Sequence, residues 1–273
     1  MAAAAIAGAD QFLAIGGVQA IAGMAMGIDG LEPVDVVVGP GSKWVTAAKQ
    51  LLNGIVGIDM LAGPSELLVI ADDSADPRLI AADLLAQAEH DTDAVPMLIT
   101  TSAGLVDRVE GELSVQLEAL PTREVARVSL ANGFVCVVRS IDEAVAVGDR
   151  VAPEHLELMV EQAEGVAQRV RHAGGVFIGS GSAEVFGDYG AGPNHTLPTG
   201  GTARSAAGLS VSHFLRLRTW LRIDDPRAAA GLIEDTERIA QIEGLVGHQR
   251  SARLRVKSHA SGGDGVATGG PES

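Results

Sequence analysis

Short apolar runs and amphipathic segments alternate along most of this chain. The run LLVIA at 67–71 is short and continuous, which is typical of a buried strand. Asp76 and Pro77 then supply an N-cap and a first-turn proline, so we expect a helix that continues to about His90. Further strands are expected at 97–100, 134–138, 156–160 and 176–178, and further helices at 102–120, 141–149 and 161–172. This alternation predicts a largely parallel sheet with helices on both faces.

The first sixty residues repeat the pattern, with glycines between each strand and its helix. Strands are expected at 12–15 and 34–38, and they run into glycines at 16–17 and 39–41. A strand end, glycines and a helix N-terminus together form the general arrangement that accepts phosphate groups. Neither passage fits a full dinucleotide-binding fingerprint, and the residues alone favour a tight-turn role for the glycines. Residues 2–7 read as a helix end with no strand before it, which predicts a sheet with an open apolar edge.

The pattern changes after Gly208. Asp225 and Pro226 open a predicted helix, and its apolar positions recur at spacings of seven, three and four. These positions predict an amphipathic stripe that needs a partner surface; they are Leu232, Ile239, Ile242 and Val246. From Ser258 onward the chain has almost no apolar residues, which predicts a disordered tail.

Composition and charge narrow the classes of function. The chain has 273 residues, a formal charge of −15 and one cysteine. This charge argues against a protein that binds nucleic acid or an anionic membrane surface. The single Cys136 excludes a disulfide framework, and its position in an apolar run favours an inert core thiol. No apolar run reaches the roughly 20 residues that span a bilayer, and the start lacks the basic region of a signal peptide, so we expect a cytoplasmic protein.

Two pairs of polar residues stand out in the middle of the chain. Gln87 and His90 share a helix face with Asp83, and an amide oxygen beside an imidazole can bind a divalent metal. Taken alone, a polar helix end explains this pair better. Glu154 and His155 follow a proline and either serve two neighbouring proton transfers or simply begin a helix. The residues by themselves favour neither interpretation of this second pair.

Two further places combine polar groups nearer the C-terminus. The loop 187–199 concentrates Asp188, Asn194 and His195 between glycines and prolines, which favours a functional site. Glu243 and His248 close the last amphipathic helix, and alone they indicate only a helix end. The chain has no Walker A lysine, HExxH, GxSxG or CxxC motif, so phosphoryl transfer, serine hydrolysis and thiol redox chemistry are disfavoured.

Four motifs in order make the chain recognisable. They are AGPSE at 62–66, DLLAQAEH at 83–90, APEHLE at 152–157 and GDYGAGPNHTLPT at 187–199. In order and spacing, from residue 1 to about 257, they resemble the histidinol dehydrogenase family. The resemblance implies an α/β fold of incomplete Rossmann-like parallel sheets with helices on both faces, plus a C-terminal helical extension. It also implies a chain that is shorter than the family at its N-terminus and lacks the opening βα unit of the cofactor domain.

The resemblance further implies a division into four parts. Residues 1–60 are expected to be a remnant of an NAD-binding Rossmann-like domain, and residues 61–208 a catalytic α/β domain. Residues 209–257 are expected to form a helical dimerisation segment, followed by the tail at 258–273. In the family, the segment that bears Glu243 and His248 completes the site of the partner subunit in a homodimer.

The family performs the last two steps of histidine biosynthesis. It oxidises L-histidinol through histidinal to L-histidine, and it uses NAD and one Zn²⁺ per subunit. The implied zinc ligands are Gln87, His90, Asp188 and His248, which also lie against the substrate. The implied acid–base pair is Glu154 and His155, the further substrate contacts are Ser65 and Glu243, and the cofactor contacts are Gln19 and Ser42. Ser42 stands where the family typically has an asparagine.

Two alternatives to this activity stay open. One is a non-catalytic zinc-binding remnant of the family, which keeps the site but does not bind the cofactor. The other is a sister dehydrogenase that acts on a different small alcohol. Glu243 argues against the second, because a carboxylate suits the amino group of an amino alcohol.

Overall fold

A five-stranded parallel sheet is the centre of the larger part of the molecule. The structure is a computed structural model that describes residues 1–28, 30–225 and 228–260, without the side chains of 256–260. The chain divides into two compact units, the first at Met1–Arg216 and the second from Leu217 onward. The division of the first unit into cofactor and catalytic parts stays a prediction.

The first unit contains both sheets. Its elements, in chain order, are α1 (Ala2–Ile6), α2 (Gly17–Met26), β1 (Val36–Val37), α3 (Lys43–Leu52), β2 (Gly57–Ile58), β3 (Glu66–Ala71), α4 (Pro77–Ala88), β4 (Val95–Thr100), α5 (Ala103–Ala119), α6 (Arg123–Leu130), β5 (Phe134–Val137), α7 (Ile141–Val151), β6 (His155–Met159), α8 (Ala163–Ala167), β7 (Gly175–Ile178), α9 (Val185–Tyr189) and the 3₁₀ helices Thr202–Arg204 and Val211–Phe214. The large sheet has the order β5-β4-β3-β6-β7, and β1 and β2 form a separate parallel pair. This confirms the predicted α/β fold with parallel sheets.

Both faces of the five-stranded sheet are covered. On one face, Leu67 and Val69 of β3 pack against Ile80 and Leu84 of α4 and against α5. On the other face, Leu68 and Ile70 pack with residues of α7 and α8. Because side chains alternate between the two covered faces, β3 is apolar at every position after Glu66 and its sequence is a continuous apolar run. The helix that follows begins as the sequence predicts, since the Asp76 side chain accepts a hydrogen bond from the backbone N–H of Arg78.

Several local predictions were wrong. Residues 12–15 form no strand, and Phe12 and Leu13 are exposed where no neighbouring strand pairs with them in the described part of the chain. The helix predicted at 161–172 is confined to α8, and α6 was not predicted. Cys136 lies on the edge strand β5 and is half-buried rather than in the core.

Glu154 and His155 enter a strand, not a helix. Ala152 ends α7 in the left-handed conformation, with φ 51°, and Pro153 follows it. That turn redirects the chain, so His155 becomes the first residue of β6 and pairs beside Leu67 of β3. The helix-start interpretation of this pair was therefore wrong.

The described residues of the second unit form two helices, α10 (Ala230–Ile242) and α11 (Val246–Ala260). Gly244, at φ 74°, separates them, so Val246 does not continue the predicted stripe on one helix. Ile233 and Ala240 are the buried positions of α10, whereas the predicted stripe positions Leu232, Ile239 and Ile242 are exposed. The predicted helix start at Pro226 lies outside the described residues, and so does the predicted tail beyond 260. Residues 258–260 belong to α11, which contradicts that part of the tail prediction.

Among the residues that the structure describes, no helix is long and apolar enough to cross a membrane.

Candidate functional site

Apart from Gln19 and Ser42, the predicted site residues of the first unit collect at the amino edge of the five-stranded sheet. β3 and β6 are adjacent and parallel, so their first residues lie side by side. This brings Ser65 and Glu66 next to Glu154 and His155. α4 ends near the same edge and delivers His90 just before β4 begins. Open parallel sheets usually bind ligands beyond the carboxyl ends of their strands, so this site lies at the opposite edge.

Ser65 and Glu66, at the start of β3, hold Glu154 by three hydrogen bonds, two to its carboxyl and one from its backbone N–H. Its Oε2 accepts hydrogen bonds from Ser65 Oγ at 2.8 Å and from the backbone N–H of Glu66 at 3.0 Å. Its own backbone N–H donates to Glu66 Oε2 at 3.3 Å, and Glu66 Oε1 accepts from the backbone N–H of Gly200 at 3.0 Å. These bonds fix the Glu154 carboxyl in one orientation.

His155 has one ring nitrogen committed and one available. Its Nδ1 lies 3.0 Å from the backbone carbonyl oxygen of Glu66. A carbonyl oxygen only accepts, so Nδ1 carries the proton and Nε2 keeps its lone pair. Nε2 lies 3.6 Å from Glu184 Oε1, and Nδ1 lies 3.6 Å from Glu154 Oε2. The ring is buried and packs against Phe177, with 5.9 Å between ring centroids. The arrangement is that of a neutral base with an acid beside it.

Burial shifts the protonation of both groups towards their neutral forms. It raises the pKa of Glu154 to about 7, and hydrogen bonds from Ser65 and Glu66 oppose the shift. It also lowers the pKa of His155, and the hydrogen bond to Glu66 opposes that change. A carboxyl with a pKa near neutrality and an unprotonated imidazole are both suited to proton transfer at neutral pH.

A cluster of metal-ligating groups adjoins this pair. One ligand atom from each of His90, Glu184 and Asp188 lies within 4.8 Å of the other two, and His90 Nε2 is 3.7 Å from Asp188 Oδ2. Burial, with the neighbouring Asp188 and Glu154, raises the pKa of Glu184 to about 7. Glu184 therefore belongs to the cluster and also faces His155.

The side chain of Gln87 also indicates a metal site. It is fully buried one turn before His90, and neither its Oε1 nor its Nε2 has a hydrogen-bond partner among the described residues. A buried amide without a partner is costly, and an ion held by its oxygen removes that cost. Gln87, His90 and Asp188 thus offer the nitrogen and oxygen donors that suit zinc. These residues fit a divalent metal.

A cleft opens beside His155, which together with Glu154 is called the proton-transfer pair below. It has a volume of 510 Å³, and its walls include His155, Phe177, Phe186, His195 and Leu197. His195 comes from the predicted functional loop, whose first part forms α9 instead of a loop. The cleft is large enough for a small molecule, and it is largely apolar with imidazoles at its lining.

Gln19 and Ser42 lie in the two-stranded part of the first unit. Gln19 is in the first turn of α2 and Ser42 is the N-cap residue of α3; both side chains are exposed. Neither takes part in the described hydrogen bonds of the site around His155. Their assignment as cofactor contacts stays a prediction.

Glu243 and His248 lie in the second unit. Glu243 is the C-cap residue of α10, and His248 is in the first turn of α11. Both are exposed, and His248 lines a groove of 660 Å³ with Leu221, Ile223 and other residues of this unit. Their assignment as substrate and zinc contacts also stays a prediction.

Three acidic residues at the site were not singled out from the sequence. Glu66 and Glu157 stand inside motifs that the sequence already marks, and Glu157 interrupts an otherwise apolar strand. A glutamate in a buried strand is rare without a specific partner, and that was the available signal. Glu184 lies one turn before Asp188, a spacing that places two carboxylates on one helix face.

Comparisons with known proteins agree with these features. A family model described as histidinol dehydrogenase matches residues 1–256. The chain is 49% identical over 255 residues to a histidinol dehydrogenase of Thermus thermophilus, which covers 93% of this chain and 62% of that protein. It is 48% identical over 257 residues to one of Parasynechococcus marenigrum, covering 94% of this chain and 59% of that protein.

A solved structure is also similar. The crystal structure of histidinol dehydrogenase from Elizabethkingia anophelis superposes with a TM-score of 0.87 at 38% identity, and it covers 94% of this chain and 59% of that chain. The chain thus spans about three fifths of the length of the relatives that it matches.

Proposed function

The chain belongs to the histidinol dehydrogenase family, and on that premise we propose that it carries the proton-transfer and zinc groups of an enzyme that oxidises L-histidinol to L-histidine through histidinal. The proposed oxidant is NAD, and the proposed metal is one Zn²⁺ per subunit. One observation carries the proposal: the Glu184 carboxyl faces His155 Nε2 at 3.6 Å and also belongs to the cluster of His90 and Asp188. Base and metal groups therefore lie close enough to act on one small substrate.

His155 serves the first oxidation. Hydride removal from the alcohol carbon requires the hydroxyl proton to leave, and His155 Nε2 accepts that proton. The hydrogen bond from Nδ1 to the Glu66 carbonyl keeps the lone pair on Nε2, and burial lowers the pKa of the ring, which keeps it neutral. Bound NAD supplies the hydride acceptor, which protein side chains lack.

Glu154 serves the second oxidation. Conversion of the aldehyde to the acid requires a water molecule to lose a proton as it attacks the carbonyl carbon, and the resulting hydrate to lose a hydride, for which a second NAD would be the acceptor. Burial raises the pKa of Glu154 to about 7, so this carboxyl both takes up and releases a proton near neutral pH. The hydrogen bond from Ser65 Oγ orients it, which gives Ser65 a role at the substrate edge of the site.

Gln87, His90 and Asp188 are the proposed zinc ligands of the first unit. When bound, zinc supplies a positive charge that anchors and polarises the substrate. The unpartnered amide of Gln87 supports this assignment, because it is a buried acceptor with no other described use. Substrate anchoring keeps the aldehyde in place between the two oxidations.

The glycine turn before α3 is the proposed contact for the NAD phosphates. Ser42 makes no side-chain cap hydrogen bond, so the first N–H groups of α3 stay available to an anion. Two buried side chains hold the turn. The Gly39 N–H donates to Asp59 Oδ2 at 2.7 Å, and the Gly39 carbonyl oxygen accepts from Lys49 Nζ at 3.0 Å. Gln19, in the first turn of α2, is the second proposed cofactor contact.

Glu243 and His248 are proposed to complete the site of the partner subunit in a homodimer. This proposal is supported by the exposed apolar side of α10, where Ile239 and Ile242 lack a covering surface within the described part of the second unit. Burial of such a surface between two subunits is favourable. Glu243 would then meet the substrate amino group, and His248 the zinc.

The deciding experiment measures NADH formation and zinc content together. The purified chain is loaded with zinc and mixed with NAD and L-histidinol, and an increase in NADH absorbance is expected. His155→Ala should lower turnover by roughly 10²- to 10⁴-fold while zinc content is retained. His90→Ala should lose both zinc and turnover.

His172→Ala is the matched control, because His172 is half-buried and lies outside the motif residues of the site. It should retain zinc and turnover. Full zinc content in His90→Ala would contradict the ligand assignment. One bound zinc per chain without any NADH formation would favour the non-catalytic alternative instead.

A further inference from the structure

A single carboxyl lies in the middle of the sheet face that carries the site. Glu157 is the central residue of β6, two positions after His155, and it is 1% exposed. Its cross-strand partner is Val69 of β3, which belongs to the apolar cluster that includes Leu84 and Met159. A carboxyl in such surroundings is costly unless its oxygens have partners. The hydrogen bonding of Glu157 therefore indicates why the strand carries an acid here.

One oxygen of Glu157 holds the segment that carries the acidic ligands. Glu157 Oε1 accepts a hydrogen bond from the backbone N–H of Glu184 at 2.7 Å. Glu184 is the N-cap residue of α9, and Asp188 follows one turn later. This bond ties the start of α9 to β6. The short helix has no side-chain cap of its own, so the bond is a specific restraint on it.

The other oxygen of Glu157 makes no such bond. Glu157 Oε2 is buried and has no hydrogen-bond partner among the described residues. Burial, together with the negative charges of Asp83 and Glu184, raises the pKa of this carboxyl. The hydrogen bond to the backbone N–H of Glu184 is therefore the contact through which Glu157 acts on the site.

We infer that Glu157 is a positioning residue that holds the start of α9, and with it Glu184 and Asp188, against β6. This inference rests on the proposed zinc site and deepens it. Glu157 is not one of the proposed ligands; it acts through the backbone N–H of Glu184. A leucine at this position would fill the same space but would leave the Glu184 N–H without its acceptor.

A role in the site and a role in the fold make opposite predictions for stability. If Glu157 served the fold, its loss would lower the unfolding temperature and the zinc affinity together. If it serves the site, an apolar replacement should weaken zinc binding and leave the zinc-free fold as stable or more so, because a buried acid has been removed. The two effects separate in one set of variants.

The test measures zinc affinity by competition with a chromophoric chelator, and the unfolding temperature without zinc, in the full chain. Glu157→Leu should weaken zinc binding by about 10- to 100-fold, the usual effect of removing a group that orients metal ligands. Glu157→Gln keeps an oxygen that accepts from the Glu184 N–H, so its affinity should stay within about threefold of the parent. Glu164→Leu, at an exposed position on α8, is the matched control and should bind zinc like the parent.

Each outcome bears on the inference. Unchanged zinc affinity in Glu157→Leu would overturn it, and so would equal losses in the Leu and Gln variants. Glu157→Met is a second apolar variant; if both apolar variants fail to fold, Glu157 serves the fold and the inference is wrong. If the parent chain itself binds no zinc, the proposed function falls and this inference falls with it. Zinc binding by the parent with no effect at position 157 would overturn only the inference.

Discussion

The two parallel sheets of the first unit share a local pattern of apolar strands alternating with helices, but they differ in how well they are paired and packed. In the five-stranded region, residues 66–208, the strands are four to six residues long, and the three central strands β3, β4 and β6 are buried on both faces. In the two-stranded region, residues 1–60, the strands are two residues long, and Phe12, Trp44 and Leu51 are 59%, 66% and 82% exposed. A strand–glycine–helix pattern therefore predicts an element, while the number of paired neighbours determines how well that element is packed.

This difference bears on the two halves of the proposed chemistry. The proton-transfer pair is restrained by several hydrogen bonds on a buried sheet edge. The glycine turn proposed for the cofactor depends instead on a buried ion pair, Lys49 with Asp59, beneath a small cluster around Ile21 and Val37. Loss of a few contacts should thus affect the turn far more than the proton-transfer pair.

Removal of Lys49 should have the largest effect. Lys49 and Asp59 are 2% and 0% exposed, and both bind the backbone of Gly39. Lys49→Met leaves a buried carboxylate unpaired, which should lower the free energy of unfolding of the two-stranded region by about 3–5 kcal/mol. Amide hydrogen exchange is the measurement: α2, α3 and β2 should lose protection, while β3 and β6 keep theirs.

The double variant Lys49→Met with Asp59→Leu is the control for this prediction. It removes both charges and should recover most of the lost protection, since an apolar pair of similar volume replaces a buried ion pair at little cost. Equal loss of protection in β3 and in β2 of the single variant would show that the two regions unfold as one. The proposed contrast between them would then be wrong.

The well-packed region is also the region that the sequence predicts best. LLVIA at 67–71 is β-strand as expected, and Asp76 with Pro77 begins α4, because burial on both faces and a cap are local properties that a sequence records. The segment at 12–15 has an equally apolar pattern but forms no strand. Pairing depends on a neighbouring strand, and a local pattern does not show whether one exists.

The site shows the same difference between local pattern and strand pairing. The spacing of Gln87 and His90 predicts that both lie at the end of one helix, and in the structure Gln87 is in the last turn of α4 and His90 follows its C-cap residue. That Glu154 approaches Ser65, 89 positions away, depends on the parallel pairing of β3 and β6. The sequence predicts a parallel sheet but does not show which strands are neighbours. The hydrogen bond between the Glu184 N–H and Glu157 was not predicted. An acid in an apolar strand indicates a buried partner, but residue types do not show which backbone N–H that partner is.

Core truncation tests the packing difference directly. Leu98 of β4 is 1% exposed and lies in the cluster beneath α4 and α5. Leu98→Ala should lower the free energy of unfolding by about 2–5 kcal/mol, because it leaves a cavity. Leu51→Ala removes the same atoms at an exposed position of the two-stranded region and should change stability by less than about 0.5 kcal/mol. Denaturant unfolding of both variants measures the difference, and similar losses would contradict it.

The pH dependence of stability reports on the acids of the five-stranded region. Burial raises the pKa of Glu154 from 4.5 to about 7 and that of Glu184 to about 7. The folded chain therefore binds more protons than the unfolded chain between these values, and stability falls as the pH rises from about 4.5 to about 7. The slope should reach about 1.4 kcal/mol per pH unit for each such proton.

Urea unfolding of the zinc-free chain across this pH range is the measurement. Glu154→Gln removes one titrating group and should give a shallower slope than the parent. Glu161→Gln, at an exposed position after β6, is the control and should keep the parental slope. A slope of the opposite sign in the parent would mean that these carboxyls are ionised in the folded chain.

The smallest effect is expected where the backbone itself is strained. Ala152 adopts φ 51° just before the proton-transfer pair, a conformation that costs a non-glycine residue about 1–2 kcal/mol. Ala152→Gly relieves that strain but loses a buried methyl group and adds freedom to the unfolded chain, so stability should change by less than about 1 kcal/mol. Ala126→Gly, at an equally buried helical position of α6, has no strain to relieve and should lose about 2 kcal/mol. The difference between the two variants, measured by denaturant unfolding, isolates the strain, and equal losses would show that the packing of the five-stranded region does not hold Ala152 in an unfavourable conformation.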